Sequence, residues 1–548
     1  MIRLPLPLPL RAAALALAVA LAGSALCAES ASANSNPDYQ RKFEKTVAMK
    51  PGQRFEIEHT QGAVRITAQK TSEARITAEI VVDSSDDAEG RKFGEGIEIV
   101  VEENSGAVSV RTRYPDKNWS FHGRGHVSYS VDYTIVVPET APVSVRNKFG
   151  DVELAGARAA STISNANGRV SVRDCRGGQR IESSFGAIDV SRVGGGDTDV
   201  TGSNGPVTAM DIEGPLGVKN RFGPVSAQRV KGPVTVASSN GEIFVEEAGG
   251  NSSITGSFGR IAVRGVTGTL EIQNQNGDVA LAKVSGTVKV RNSFGGVEVT
   301  DTGAPDVENS NGKIRVRDVR GAATLRTSFA EVDAANIPGD ATVSNNNGAV
   351  TLMNVNGMAD VRGSFAPIRI TKAQKGVKVV AENAGVTLTD IGGAAYVKTS
   401  FGLVEATRVD GELTVENSNG AVKASAVKGG ASVRTSFAAV SLDGIGGRID
   451  VDNQNGGVDV RGLGSAAGKC FPVALRSTFA PIRIYLPDGG GFQVSARTSF
   501  GKIHSEIPLT TSGAMSADNM TGKIGNGQCE LTLATSNGNI DLLRAAGK

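Results

Sequence analysis

Aromatic side chains are scarce, at 5% of 548 residues, and tryptophan occurs once, as Trp119. That poverty excludes a thick globular core and a row of tryptophans for stacking sugars. Histidine and cysteine are nearly as rare: His59, His122, His126 and His504, with Cys27, Cys175, Cys470 and Cys529. His122 and His126 share a glycine-rich, loop-like stretch with no neighbouring acids, so no metal site is expected there. No strand-glycine-helix phosphate loop, nucleophile elbow or His-Glu-x-x-His motif is present, and no cofactor is expected. Charge of one sign is also lacking, with 58 basic against 56 acidic residues. A balanced chain without a basic run offers no electrostatic handle for nucleic acid or an anionic membrane.

Long apolar runs are missing as well. The stretch Ala12 to Ala22 falls short of the ~20 residues that span a bilayer, so no transmembrane helix is expected in the mature chain. It follows Arg3 and Arg11 and precedes small residues, which is the pattern of an export signal over residues 1–33. Cleavage falls after Ala28 or Ala33. Lipid anchoring at Cys27 is disfavoured by Leu26, since that signal wants a small residue before the cysteine. The expected location is the periplasm or cell surface. Export permits disulfides, and Cys470 with Cys529 is the expected pair because both lie in the non-repeating C-terminal section. Cys175 is then left over; the plainer alternative makes all three small buried residues.

What the chain has in abundance is glycine, 69 residues, and a beat. Phe149, Phe185, Phe222, Phe258, Phe294, Phe329, Phe365, Phe401 and Phe437 alternate with Asn167, Asn204, Asn240, Asn276, Asn311, Asn347, Asn383, Asn419 and Asn455. Successive marks are 18 residues apart, save one step of 19 into Asn204 and one of 17 into Asn311. Each repeat is a unit that buries its apolar face only by stacking on its neighbours. In Lys313 to Ala330, Ile314, Val316, Val319, Ala322, Leu325 and Phe329 are expected to face inward, which gives two short strands and two turns.

Charge decides between 18 and 36 residues per turn. Three residues before the marks stand Arg291, Glu308, Arg326, then Arg362, then Lys398, Glu416, Arg434 and Asp452. With 18 per turn opposite signs become neighbours, while 36 per turn would stack Arg326, Arg362, Lys398 and Arg434 in one repulsive column. The expected fold is therefore all-β: a single-stranded β-solenoid, or parallel β-helix, of about 18 residues per turn, right-handed, with β-rich caps. Residues 34–142 are assigned to the N-terminal cap, 143–465 to the regular repeats and 466–548 to an irregular C-terminal cap, where the meter breaks at Phe479 and Phe500. The glycine after each mark is only partly explained by a left-handed turn, because Ala330, Ala366, Ala384 and Ala438 share its slot. Close backbone approach at a narrow corner is the better reason, and the mark asparagine is expected to satisfy the turn's free backbone groups.

Outward carboxylates such as Glu331, Asp333 and Glu405 leave room for a glycan-cleaving pair, though alternating solvated charge is the simpler reading. Gly194 to Asp199 suggests a calcium-binding glycine-aspartate turn, but those work in many copies and this one is single.

The phrase Val-x-x-x-Asn-Gly-x-Val-x-Val, the entry Ile135-Val136-Val137-Pro138 and the ending Ala534 to Leu542 resemble a bacterial exported β-strand-repeat domain of unknown function, often labelled "putative adhesin". The resemblance covers residues 50–548. It implies an exported, non-catalytic β-solenoid of the cell envelope with adhesin-like surface or partner binding, the partner being an envelope protein or glycan. It carries no functional residues, since the motif is structural. Two alternatives stand beside it: a glycan-active β-helix enzyme, and a structural or signalling module of the envelope.

Overall fold

Strands rich in Val, Ile and Thr, interrupted by Gly and Asn at fixed intervals, are built to alternate inward and outward side chains and then turn. The structure, a computed structural model, describes residues 37–115, 127–463, 470–487, 489–511 and 516–545. The export signal, Cys27, Trp119, His122 and His126 lie outside the described residues. What forms is a two-sheeted stack of parallel rungs. Val288–Phe294, for example, lies in one sheet and Val297–Thr302 in the other, joined at Gly295. Asn167 pairs with Phe149 on one side and Phe185 on the other, so one turn is 18 residues. The charge prediction holds at that register: Arg291 meets Glu308 at 3.1 Å and Lys398 meets Glu416 at 3.5 Å.

Each rung buries three residues from one strand and three from the other. In Lys313 to Ala330 and its continuation, Ile314, Val316, Val319 and Leu325 are inside as expected, but Ala323 and Thr327 replace Ala322 and Phe329. Phe329 is 65% exposed. The core is thin and filled by small residues, and a ring at the corner has no room inside.

The second corner of each rung is built on a left-handed residue. Asp174, Arg192, Asp211, Arg229, Glu247, Lys283, Asp301 and Asp318 all have φ between 50° and 58°. Strict alternation would bring this position inward. The positive φ inverts the parity, leaving two outward residues in succession and returning the next residue, such as Val193, Ile212 or Val230, to the core. A non-glycine residue there costs on the order of 1–3 kcal/mol, offset by the core contact it secures.

The first corner changes form part-way along. From Gly150 to Gly295 the corner glycines adopt φ of 101° to 155°, Gly241 aside, and an added Cβ would lie 2.1–2.4 Å from the carbonyl oxygen of the previous rung's corner. Both reasons for glycine therefore operate. Beyond the 17-residue step at Asn311, no corner from Gly312 to Gly456 has a positive φ, and all four alanines of this slot fall in that half. In the first half the corner N–H pairs with the next rung, as Gly168 N–H does with Phe185 O at 2.9 Å. In the second half it turns inward at Gly348, Gly420 and Gly456, the last donating to Asn453 Oδ1 at 3.2 Å. The missing residue at Asn311 marks where the corner tightens.

Both ends are closed by segments out of chain order. Arg54–Gln61 and Val64–Gln69 form a rung that stacks directly on Val143–Phe149 and Val152–Ala155. Outside that rung lie Ala107–Arg113 and Val127–Pro138, which come later in the chain. Antiparallel Glu73–Ser84 and Tyr39–Ala48 complete the cover of one sheet. The parallel stack thus extends into the segment read as cap. The single helix among the described residues, Asp87–Glu95, also lies there; Asp86 caps it by accepting from the amides of Ala88 and Glu89. It was not foreseen, because nine residues give too short a run for helical periodicity to show. At the other end Cys529–Thr535 and Ile540–Arg544 are inserted between the rung Val473–Leu486 and the rung Phe492–Ser505. Cys470 and Cys529 are joined there as a disulfide, with Cα atoms 5.8 Å apart, while Cys175 is buried and free.

Candidate binding edge

The break in meter disappears in space. Because Cys529–Thr535 lies between Val473–Ser477 and Phe492–Thr498, Asn537 falls between Phe479 and Phe500, and the alternation continues Asn455, Phe479, Asn537, Phe500. At the other end Gln61 pairs with Phe149, and Tyr114 lies across from Gln61, its hydroxyl donating to the Gln61 carbonyl at 3.5 Å. One corner of the stack therefore carries an aromatic residue on every second rung from end to end. The eleven phenylalanines of this column, the first Phe149 and the last Phe500, are 47–83% exposed. At ~4.8 Å per rung they repeat every ~9.6 Å.

Two neighbouring columns hold this edge in place. The mark asparagines tie rungs together: Asn167 Nδ2 donates to Lys148 O at 3.2 Å, and Asn347 Nδ2 to Ser328 O at 3.0 Å. The capping expected of them belongs chiefly to a second, buried column two residues earlier. Asn165 Nδ2 donates to Gly150 O at 3.0 Å and Gly168 O at 3.1 Å; Asn453 reaches Ala438 O and Gly456 O at 2.8 Å each. In the second half threonine takes this place behind Phe329, Phe401 and Phe437, as Thr399 and Thr435 show, with Gly363 behind Phe365 and Ser477 behind Phe479. The signal was legible, since a polar residue stands two before most marks, but strand parity alone does not say that a polar side chain points inward.

The flanks differ along the length. Just before the marks in the second half stand Ser364, Ser400, Ser418 and Ser436, small and uncharged, with Glu382 the charged exception before Asn383. Two residues after the marks the first half carries Asp151, Arg169, Glu242, Arg260, Asp278, Lys313 and Glu331. From Ala349 onward that column reads Pro367, Gly385, Leu403, Ala421, Ala439, Gly457 and Pro481, with no charge. The second half of the edge is a strip whose two flanks carry a single charge, Glu382, between Ala349 and Pro481.

The opposite corner is a groove. Its first section, about 890 Å³, runs along the left-handed column, with Arg192 paired to Asp174 at 2.5 Å and Arg229 to Asp211 at 2.6 Å. The hydrogen-bonded guanidinium holds each of these carboxyls below the usual aspartate range, and the same holds for Asp390 beside Arg408. Glu331 is paired with Lys313 at 2.9 Å and Asp333 with Arg317 at 2.5 Å. Glu405 lies in register with Thr387 and Lys423. Among the described residues no three His, Cys, Asp or Glu side chains are grouped as metal ligands, and no helix is long and apolar enough to cross a membrane.

The family model described as Toastrack DUF4097 matches residues 53–543. No curated protein matches the sequence. Among solved structures, the crystal structure of "a putative cell adhesion protein from Clostridium sporogenes" is similar at 10% identity and a TM-score of 0.20, covering 38% of this chain and 99% of that one. A likeness at that score carries no weight here.

Proposed function

We propose, from the premise that the chain belongs to the Toastrack DUF4097 family, that it is an exported, non-catalytic scaffold of the bacterial envelope. It holds an extended partner, protein or glycan, along its aromatic edge. One observation carries this reading: a row of exposed phenylalanines, one on every second rung, backed by buried asparagine and threonine side chains that bond the corner carbonyls. Contiguous apolar surface beyond a few hundred Å² marks an interaction site in soluble proteins. Two of the outward carboxylates considered for glycan cleavage, Glu331 and Asp333, are held in ion pairs between rungs, which supports the non-catalytic part.

The test is retention of the purified chain on envelope fractions, comparing it with a variant in which Phe365, Phe401, Phe437 and Phe479 are serine. Loss of retention with unchanged circular dichroism is expected, and equal retention would refute the role of the edge. Incubation with polysaccharides tests the rest. A product ladder that vanishes on substituting a carboxylate pair would make the chain an enzyme.

A further inference from the structure

Any partner of the edge must present apolar groups every ~9.6 Å over many rungs. An unrelated globular protein touches one or two rings. A second copy of this chain meets the condition by construction, because its own ladder has the same pitch. We propose that the second half of the edge is a self-association surface, on which two copies lie antiparallel with their phenylalanines interdigitated. This inference rests on the reading of the edge as the working surface.

Three features of the structure lead to that arrangement. The first is spacing. A ring seated over an asparagine rung of the other copy has a neighbouring ring half a pitch away on each side, ~4.8 Å, inside the 4.5–7 Å at which aromatic pairs stack with offset. The second is symmetry. A closed pair is related by a twofold axis. An axis parallel to the rods keeps every rung at its own height and sets Phe on Phe, whereas an axis perpendicular to them and passing between two rungs sets Phe on Asn. Interdigitation in a closed pair therefore requires antiparallel rods. That axis also keeps each flank facing its own kind, serine column to serine column.

The third feature is charge, which selects the register. Like charges meeting across such an axis would repel; from Ala349 to Lys502 the flanks carry Glu382, which faces Thr478 of the second copy in the register below, and Lys502, which faces Ala349, so no like charges meet. An axis between the rungs of Asn419 and Phe437 centres the overlap there. Phe437 then faces Asn419 of the second copy, Phe401 faces Asn455, Phe479 faces Asn383, Phe365 faces Asn537 and Phe500 faces Asn347. These five phenylalanines are 60–83% exposed. At 150–250 Å² per ring they supply ~700 Å² per copy. Leu403, Pro367 and Pro481 on the flank bring the total to the ~800 Å² per partner of a stable interface. Sliding by one pitch either strands a ring or brings the charged first half into contact.

Sedimentation velocity on the mature chain tests the proposal. A dimer is expected, reduced to monomer in Phe365→Ser/Phe401→Ser/Phe437→Ser/Phe479→Ser and retained in Phe149→Ser/Phe185→Ser/Phe222→Ser. A monomeric wild-type chain at tens of micromolar, or a dimer that survives the fourfold substitution, overturns it. Register is read with single cysteines: Ser436→Cys, beside the axis, is expected to cross-link to itself on mild oxidation and Ser184→Cys is not. The reverse result overturns the antiparallel arrangement. The two readings fail separately. A monomer whose envelope retention is lost in the fourfold variant sinks the dimer and keeps the binding edge; a dimer broken by that variant with retention unchanged does the opposite.

Discussion

His59 makes the N-terminal rung acid-sensitive. It occupies the buried polar column, paired in register with Asn147. Its Nδ1 lies 3.0 Å from Thr112 Oγ1, which is 2.7 Å from the Tyr133 hydroxyl, and the Tyr133 ring meets the imidazole edge-on at 5.0 Å. Burial lowers its pKa from 6.5 to about 4, against smaller opposing effects of the Gln61 and Val131 backbone and the Asp132 charge. The unfolded chain therefore takes up a proton first. Above pH 6.5 the ring is neutral in both states and costs nothing. Between 6.5 and 4 only the unfolded state is protonated, so stability falls as pH falls; below 4 the loss levels off. Linkage gives about 2 kcal/mol lost by pH 5 and about 3 kcal/mol at the plateau.

His59→Asn places in the column the residue that the next rung uses, and removes the titration. The assay is urea unfolding of a fragment-free, full-length chain, followed by hydrogen exchange at the amides of Arg54–Gln61, at pH 7.5, 6 and 5. Carboxylates titrate in both proteins, so the difference between them isolates the histidine. Wild type and variant should diverge by about 2 kcal/mol between pH 7.5 and 5. A difference independent of pH would show that the ring accepts a proton in place and that the account of its burial is wrong.

Asn453→Val leaves the carbonyls of Ala438 and Gly456 and the N–H of Gly456 unpaired in a buried corner; about 3 kcal/mol of stability should be lost, and Asn453→Thr should lose less, as read by denaturant midpoints. Gly186→Ala meets both a φ of 127° and the Gly168 oxygen at 2.1 Å, so a loss on the order of 3 kcal/mol or more is expected. Ala330→Gly, in the second half, should cost under ~1 kcal/mol in the same measurement. Cys470→Ser/Cys529→Ser opens a loop with a sequence separation of 59; loop entropy predicts a loss of about 4 kcal/mol in the C-terminal end, visible as earlier proteolysis of residues 470–545.

The repeat, its 18-residue turn and the neighbouring charge pairs were legible because register is a matter of counting, and like charges cannot share a column. The direction of the rings was not legible. Phe329 is apolar and its parity fits the interior, yet Thr327 takes the inner place because its hydroxyl can donate to Gly312 O at 3.4 Å. Hydrophobicity alone ranks the two in the wrong order. The left-handed column was hidden for a related reason: Asp, Arg and Lys at Asp174, Arg192 and Lys283 read as ordinary outward charge, and only the return of an apolar residue immediately after them betrays the inverted parity. The continuity of the edge past Asn455 could not be read in any linear scan, since it depends on a returning segment whose register partners, such as Val473 and Leu531, are 58 residues apart.

That returning segment also sets the timing of assembly. A solenoid can in principle be laid down rung by rung as it leaves the ribosome, each new turn closing on the last. Here the turn Val473–Leu486 finds its next neighbour not in Phe492–Ser505 but in Cys529–Arg544, made afterwards. The final turns therefore cannot zip in order of synthesis; Phe492–Ser505 must wait, unpaired on that side, until the last segment slides in beside it. This end works as a latch that closes only once Cys529–Arg544 has been made, and a chain cut short before Cys529 leaves a row of open strand edges where the latch belongs.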